Sequence, residues 1–158
     1  MQIFNCYFFE FSLIYILVIL MNLIIYYGNS KDILNIVEKY KKDYNASIYE
    51  IETINPVGFF TKLKNEMVSI KRCPLNIGEF DNIILISELW YDKVPSPVIR
   101  FLEQMTGRIK NIMYVLYNKN KDDKPKEFDK MDKILNLRRL KSFFVTLDKK
   151  EIRVRVYQ

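Results

Sequence analysis

The sequence predicts an α/β fold built on a doubly wound parallel sheet, and three observations carry that expectation. Four short, continuous apolar runs are spread along the chain: "NLIIYY" (22–27), "NIILIS" (82–87), "NIMYVLY" (111–117) and "SFFVTL" (142–147). Continuous rather than alternating apolar runs suit parallel strands covered on both faces. Amphipathic helical stripes fall between them, the alternation that builds βαβ units. With 158 residues, 49% of them hydrophobic and 28% charged, the chain is long enough for one globular core.

Each element has its own local reason. After the first run, Ser30 is a good N-cap, and Ile33, Ile36, Val37 and Tyr40 recur on one helical face. "ASIYEIETI" (46–54) mixes polar and apolar residues and suits a strand nearer the sheet edge. Phe59, Phe60, Leu63, Met67 and Ile70 make a second helical stripe. The third helix is expected to have Ser96 as N-cap and Pro97 at its first position, to continue through Val98, Phe101, Leu102 and Met105, and to stop at Gly107. Phe128, Met131, Ile134 and Leu135 suggest a fourth. The tail "EIRVRVYQ" alternates Ile152, Val154 and Val156 with Arg153 and Arg155, which reads as a half-buried strand. The expected sheet is therefore five-stranded, with an extra C-terminal edge strand. No helix follows that strand, so one face of the sheet is expected to be partly bare.

Composition narrows the chemistry. The formal charge is +6, but the densest charged stretch, "NKNKDDKPKEFDKMDK", balances six lysines against five acidic residues. A nucleic-acid partner needs a one-sided basic patch with interleaved aromatics, and none is expected here. Cys6 and Cys73 lie far apart in no paired motif, so neither a disulfide framework nor a metal site is expected, and a reduced, cytoplasmic setting is. The chain has no histidine, which removes Ser-His-Asp and Cys-His catalysis together. Any chemistry is then expected to come from a bound cofactor, with no catalytic residue in the protein.

Ligands of such sheets bind where loops leave the carboxyl ends of the strands. The first loop, "YYGNSKD", places Gly28, Asn29, Ser30 and Lys31 between a strand and a helix. Backbone N–H groups and a hydroxyl at a helix start attract a phosphate, although an ordinary capped turn has the same pattern. The second loop lies within "DNIILISELWYDKVPSPVIRFLEQM". There a strand delivers Ser87, Glu88 and Leu89, then the lone tryptophan Trp90 with Tyr91, beside charged Asp92 and Lys93. A Trp–Tyr pair so placed is hard to bury whole.

From Asn22 to Leu147 the sequence resembles the flavodoxin family, most specifically from Asp81 to Leu102, where the family has a pattern like "DLIIIGSPVWYGKPPPPVRSFL". The "GNS" at Gly28–Ser30 resembles its "TGNT" loop. The resemblance implies a doubly wound fold holding FMN non-covalently, with electron transfer to a redox partner protein. Gly28, Asn29, Ser30 and Lys31 would then meet the phosphate, Trp90 and Tyr91 the ring, and Ser87, Glu88 and Leu89 its polar edge. Tyr117 and Asn118 would contribute from a third loop.

The departures are specific. The first loop lacks the Ser/Thr residues that usually precede its glycine, and each lost contact to a phosphate costs about 1.5–3 kcal/mol. Ile86 stands where the family has Gly, Glu88 where it has Pro, and Asp92 where it often has Gly. The alternative expectation is therefore a degenerate domain of the same fold without flavin, serving as an interaction or membrane-associated module. A quinone-reductase-like activity is a third. A monomer or homodimer is expected.

Residues 1–20 form a hydrophobic extension before a domain expected to span 21–158. The extension has no Lys or Arg and contains Glu10, which argues against a signal peptide. Its charge-free run is too short to span a bilayer once the first strand has taken its residues. Three readings stand: upstream translation before Met21, a marginal anchor at the cytoplasmic face of a membrane favoured by Lys31, Lys39, Lys41 and Lys42, or a helix covering the bare sheet face.

Overall fold

The computed structural model describes residues 20–119, 124–148 and 151–157. The readings of the N-terminal extension fall almost wholly on residues 1–19 and lie outside them, as does the middle of the third loop. The elements are β1 (Asn22–Tyr27), α1 (Lys31–Tyr44), β2 (Ser47–Glu50), α2 (Phe59–Lys64), a 3-10 turn (Ile77–Glu79), β3 (Asn82–Glu88), α3 (Ser96–Met105), β4 (Ile112–Tyr117), α4 (Pro125–Leu135), β5 (Lys141–Asp148) and β6 (Glu151–Tyr157). They form one sheet in the order β2-β1-β3-β4-β5-β6. The first five strands run parallel, and β6, the extra C-terminal edge strand expected from the tail, pairs antiparallel with β5.

Alternate residues of the central strands feed two cores. Leu23, Ile25, Ile83, Leu85, Ile112, Tyr114 and Leu116 pack with Val98, Phe101 and Leu102 of α3 and Phe128 and Met131 of α4. On the opposite face Ile24, Ile84, Ile86, Met113 and Val115 pack with Ile33, Ile36, Val37 and Tyr40 of α1. Neither face of β1, β3 or β4 is wet, which is why these strands read as unbroken apolar runs. Each such side chain, fully buried, contributes about 1.5–3 kcal/mol relative to exposure.

Three elements differ from their sequence patterns. The stripe from Phe59 to Ile70 makes only the short α2, and its side chains face outward, Phe59 being 62% and Phe60 71% exposed. Two long-range constraints stop the helix. Asn65 turns into the left-handed region at φ 51°, and its side chain binds the start of α3, donating to Val94 O at 3.0 Å and accepting from Ser96 N at 2.9 Å. Ile70 is instead held in an antiparallel bridge to Thr53 and is buried there. Second, Ser96 is the first helical residue of α3 and Pro95 its cap; the Ser96 hydroxyl donates to Glu66 O at 2.6 Å rather than capping the helix. Third, Val154 and Val156 of β6 are 42% and 59% exposed. They pair with Val145 and Phe143 on the face that α1 covers, but α1 reaches that end of the sheet only as far as the Tyr40–Phe143 ring contact at 6.2 Å. The expected partly bare face is therefore seen at β6, among the described residues.

The start of the sheet is clamped. Met21 N–H donates to Asp81 Oδ2 at 2.9 Å while Asp81 N–H returns a bond to Met21 O at 2.8 Å. Asn82 donates to Asn22 at 2.9 Å across the same pair of strands. The bond from Met21, aided by Lys110, holds the Asp81 carboxyl below its ordinary value of 3.8. A carboxyl lowered in the folded state adds stability above its unfolded pKa and loses it as pH falls through the folded one. Asp81→Asn is expected to shrink the stability lost on acidification below about pH 4, measured by urea unfolding at several pH values. An unchanged acid slope in the variant contradicts the clamp.

Candidate functional site

The chain order along the sheet reverses between β1 and β3, and in sheets of this kind ligands bind outside the carboxyl ends at that reversal. A cleft of about 450 Å³ opens there, within the ordinary range of ligand sites, about 300–1,000 Å³. Three loops build it. The β1 end contributes Tyr27, Gly28 and Asn29; the segment after β2 contributes Ile51, Glu52 and Thr53; the β3 end contributes Glu88 and Trp90. Lys62 of α2 closes one side.

Aromatic and charged groups divide the cleft. Tyr27 meets Trp90 edge-on with centroids 5.6 Å apart, and Lys62 Nζ lies 5.8 Å over the Trp90 ring, a cation–π arrangement. Burial pushes the Tyr27 hydroxyl up to about 12. Trp90 is only 8% exposed, whereas its neighbour Tyr91 is 49% exposed and meets Phe59 edge-on at 6.3 Å. The pair is split: one ring lines the cleft, and the other joins an exposed apolar patch with Phe59, Phe60 and Leu63.

The loop carrying Trp90 is a tight turn. Trp90 and Lys93 exchange backbone hydrogen bonds at 2.8 and 2.9 Å, and Tyr91 and Asp92 between them sit at φ 47° and 67°. Two successive left-handed residues are the signature of a type I′ turn, which usually employs Asn or Gly. The Asp92 carboxylate is held by Asn118 Nδ2 at 2.8 Å and Lys124 Nζ at 3.4 Å.

Around the start of α1 the charges are paired across strands. Ser30 Oγ accepts from Ile33 N at 3.3 Å, the N-cap the sequence predicts. Asp32, in the first turn, accepts from the Tyr117 hydroxyl at 2.7 Å. Burial, and then that bond, push the Tyr117 hydroxyl above its ordinary value. Glu88 pairs with Lys119 at 2.8 Å, and the bond raises the Lys119 ammonium above its own.

The cleft thus gathers Gly28, Asn29, Glu88 and Trp90 from the residues singled out in the sequence. Ser30 and Lys31, the cap and first residue of α1, follow Asn29 in the chain and are not among the lining residues. Ser87 and Leu89 face inward: Ser87 is fully buried with its hydroxyl on Glu88 O at 3.0 Å, and Leu89 belongs to the core on the α3 and α4 side. Tyr117 and Asn118 are buried and act through Asp32 and Asp92 rather than lining the cleft. Sequence reasoning missed Tyr27, the Glu50–Thr53 segment, Pro56, Val57 and Lys62. The signal for the Glu50–Thr53 segment was its place at the carboxyl end of the strand beside β1.

Among the described residues, no group of three or more His, Cys, Asp or Glu is placed to hold a metal ion, and no helix is long and apolar enough to cross a membrane. No family model matches the chain, and no curated protein matches it in sequence. Solved structures do. A flavoprotein of Lactobacillus acidophilus in complex with FMN superimposes with a TM-score of 0.64 at 13% identity, over 80% of this chain and 91% of that one. The fold is shared with flavoproteins. The apo-form of the Lactobacillus acidophilus flavoprotein matches with a TM-score of 0.65 at 14% identity, over 83% of this chain and 94% of its own. A protein of Bacteroides eggerthii matches with a TM-score of 0.65 at 16% identity, over 78% and 87% respectively.

Substitutions at two positions test the local geometry. Gly28 sits at φ 126°, backbone that a side chain rarely adopts, while a Cβ there would meet Ile33 in contact at 3.4 Å; the backbone strain alone makes Gly28→Ala expected to cost about 1–3 kcal/mol in denaturant unfolding. At Asp92, replacement by Ala removes the bond to Asn118 and keeps the strained φ, whereas Gly removes both. Asp92→Gly is therefore expected to be more stable than Asp92→Ala by about 1 kcal/mol. Equal stabilities would mean that the turn carries no strain.

Proposed function

We propose that the chain is a flavodoxin-like redox domain that binds FMN non-covalently in the β1–β3 cleft and passes electrons to a partner protein. One observation carries the reading: the cleft at the strand-order reversal joins Gly28 and Asn29 of the first loop to Trp90 of the second. These are the two loops through which the sequence resembles the flavodoxin family. The fold shared with a flavoprotein crystallised with FMN supports it.

The residues fit the two halves of the cofactor differently. For the ring, Tyr27, Trp90, Ile51, Pro56 and Val57 supply apolar and aromatic wall, with Lys62 and Glu88 at the margin. For the phosphate, Gly28 leaves the backbone open to close approach, and Ser30, whose Oγ accepts from Ile33 N–H, keeps its O–H to donate. When bound, FMN supplies the electron transfer itself. The chain's part is to hold the ring, keep water from it and set the charge at its edge, where Glu88 is 18% exposed beside Lys119. The absence of histidine matches a role in which no side chain serves as acid or base.

A second reading, an interaction module without flavin, draws support from the exposed patch of Phe59, Phe60, Leu63 and Tyr91 beside the cleft. One experiment separates the two. The full chain, incubated with excess FMN and passed through gel filtration, is expected to elute with flavin absorbance, and Trp90→Ala to bind about tenfold more weakly, ~1.4 kcal/mol. Elution without flavin rejects the redox reading and leaves the interaction module. Restoring Gly, Pro and Gly at positions 86, 88 and 92 is then expected to create the binding that the natural sequence lacks.

A further inference from the structure

Resting on the flavin reading above, we infer that Asp32 sets this site against the phosphate, so that riboflavin binds at least as tightly as FMN. A helix start carries the equivalent of about half a positive charge and attracts one anion. In α1 that anion is built in. Asp32 is the second helical residue, and the Tyr117 hydroxyl, reaching over from the end of β4, donates to its carboxylate at 2.7 Å. The carboxylate is thereby tethered to the side chain that ends β4, at the start of α1 and outside the cleft's lining.

The remaining groups at the loop offer a phosphate little more than one hydroxyl. Ser30 Oγ accepts from Ile33 N–H, which takes that backbone donor from the helix start, and keeps its own O–H. On the other flank, the Cβ of Glu88 lies 3.7 Å from where a side chain on Gly28 would begin, so a second carboxylate borders the loop. Lys119 is committed to that carboxylate at 2.8 Å. Further along the cleft Glu52 pairs with Lys71, and Glu50 accepts from the Tyr26 hydroxyl at 3.1 Å. A phosphate of nearly two negative charges brought to this loop meets Asp32 and Glu88, which already hold the Tyr117 hydroxyl and Lys119, and is left with Lys31 at the start of α1 and Lys62 in the cleft wall as nearby cations. The ring half of the cleft, with Tyr27 and Trp90, is untouched by this and is common to both flavins.

The test is a pair of fluorescence titrations of the full chain, with FMN and with riboflavin, each at low and high salt. Riboflavin is expected to bind at least as tightly as FMN. Salt screens repulsion between charges, so FMN binding is expected to strengthen with salt while riboflavin binding holds steady. Asp32→Asn, which keeps an acceptor for Tyr117, is expected to tighten FMN about tenfold and to leave riboflavin unchanged within about twofold. FMN binding more tightly than riboflavin in the natural chain overturns the inference and leaves the flavin reading standing. An equal change for both flavins in the variant does the same. Binding of neither flavin overturns both.

Discussion

Covering a parallel sheet on both faces is the constraint from which the rest of this structure follows. β1, β3 and β4 have no wet side, so the chain must lay α1 on one face and α3 and α4 on the other. Doing so with right-handed crossovers sends the chain from β1 outward to β2 and then back past β1 to β3. The loops at the carboxyl ends of β1 and β3 diverge at that reversal, and the cleft is the space between them. The site is thus a by-product of the packing problem, and its lining is whatever those loops carry.

How much of this could be read in advance depended on whether burial was local or long-range. The runs of β1, β3 and β4 and the stripes of α1, α3 and α4 were legible because period and burial coincide there: every apolar residue on the stripe of α1, for instance, is buried. α2 was misread because its stripe has the same spacing but no surface to pack on, and because Asn65 and the Thr53–Ile70 bridge act across the fold. The site divides likewise. Gly28, Asn29, Glu88 and Trp90 sit in loops that announce themselves through turn chemistry and an isolated aromatic. Lys62, from the misread helix, and the Glu50–Thr53 segment enter the cleft only through strand order, which no local pattern encodes. The family resemblance assigns Tyr117 and Asn118 to the flavin site through the third loop; in the structure their hydroxyl and amide steady Asp32 and Asp92 instead.

The cleft is also where the fold departs from its cheapest local choices. Tyr91 and Asp92 occupy left-handed backbone that glycine would take without cost, and Asn118 and Lys124 hold the turn in place. Two carboxylates, Asp32 and Glu88, flank a loop whose backbone favours an anion, each with a partner supplied at or just beyond the end of β4. Local conflicts compensated by long-range partners are what a binding site imposes on an otherwise consistent fold. Here they concentrate within three loops at one end of the sheet.

Trp90 is the only tryptophan in the chain and lines the cleft, so its emission reports on the site alone. The most direct test of the account is to follow that emission while the full chain is titrated with riboflavin. Saturable quenching, with the flavin's own fluorescence lost over the same range, is the predicted result. Trp90 emission that stays unchanged while flavin is bound elsewhere, or no change in either signal, would contradict the placement of a flavin between the first and second loops.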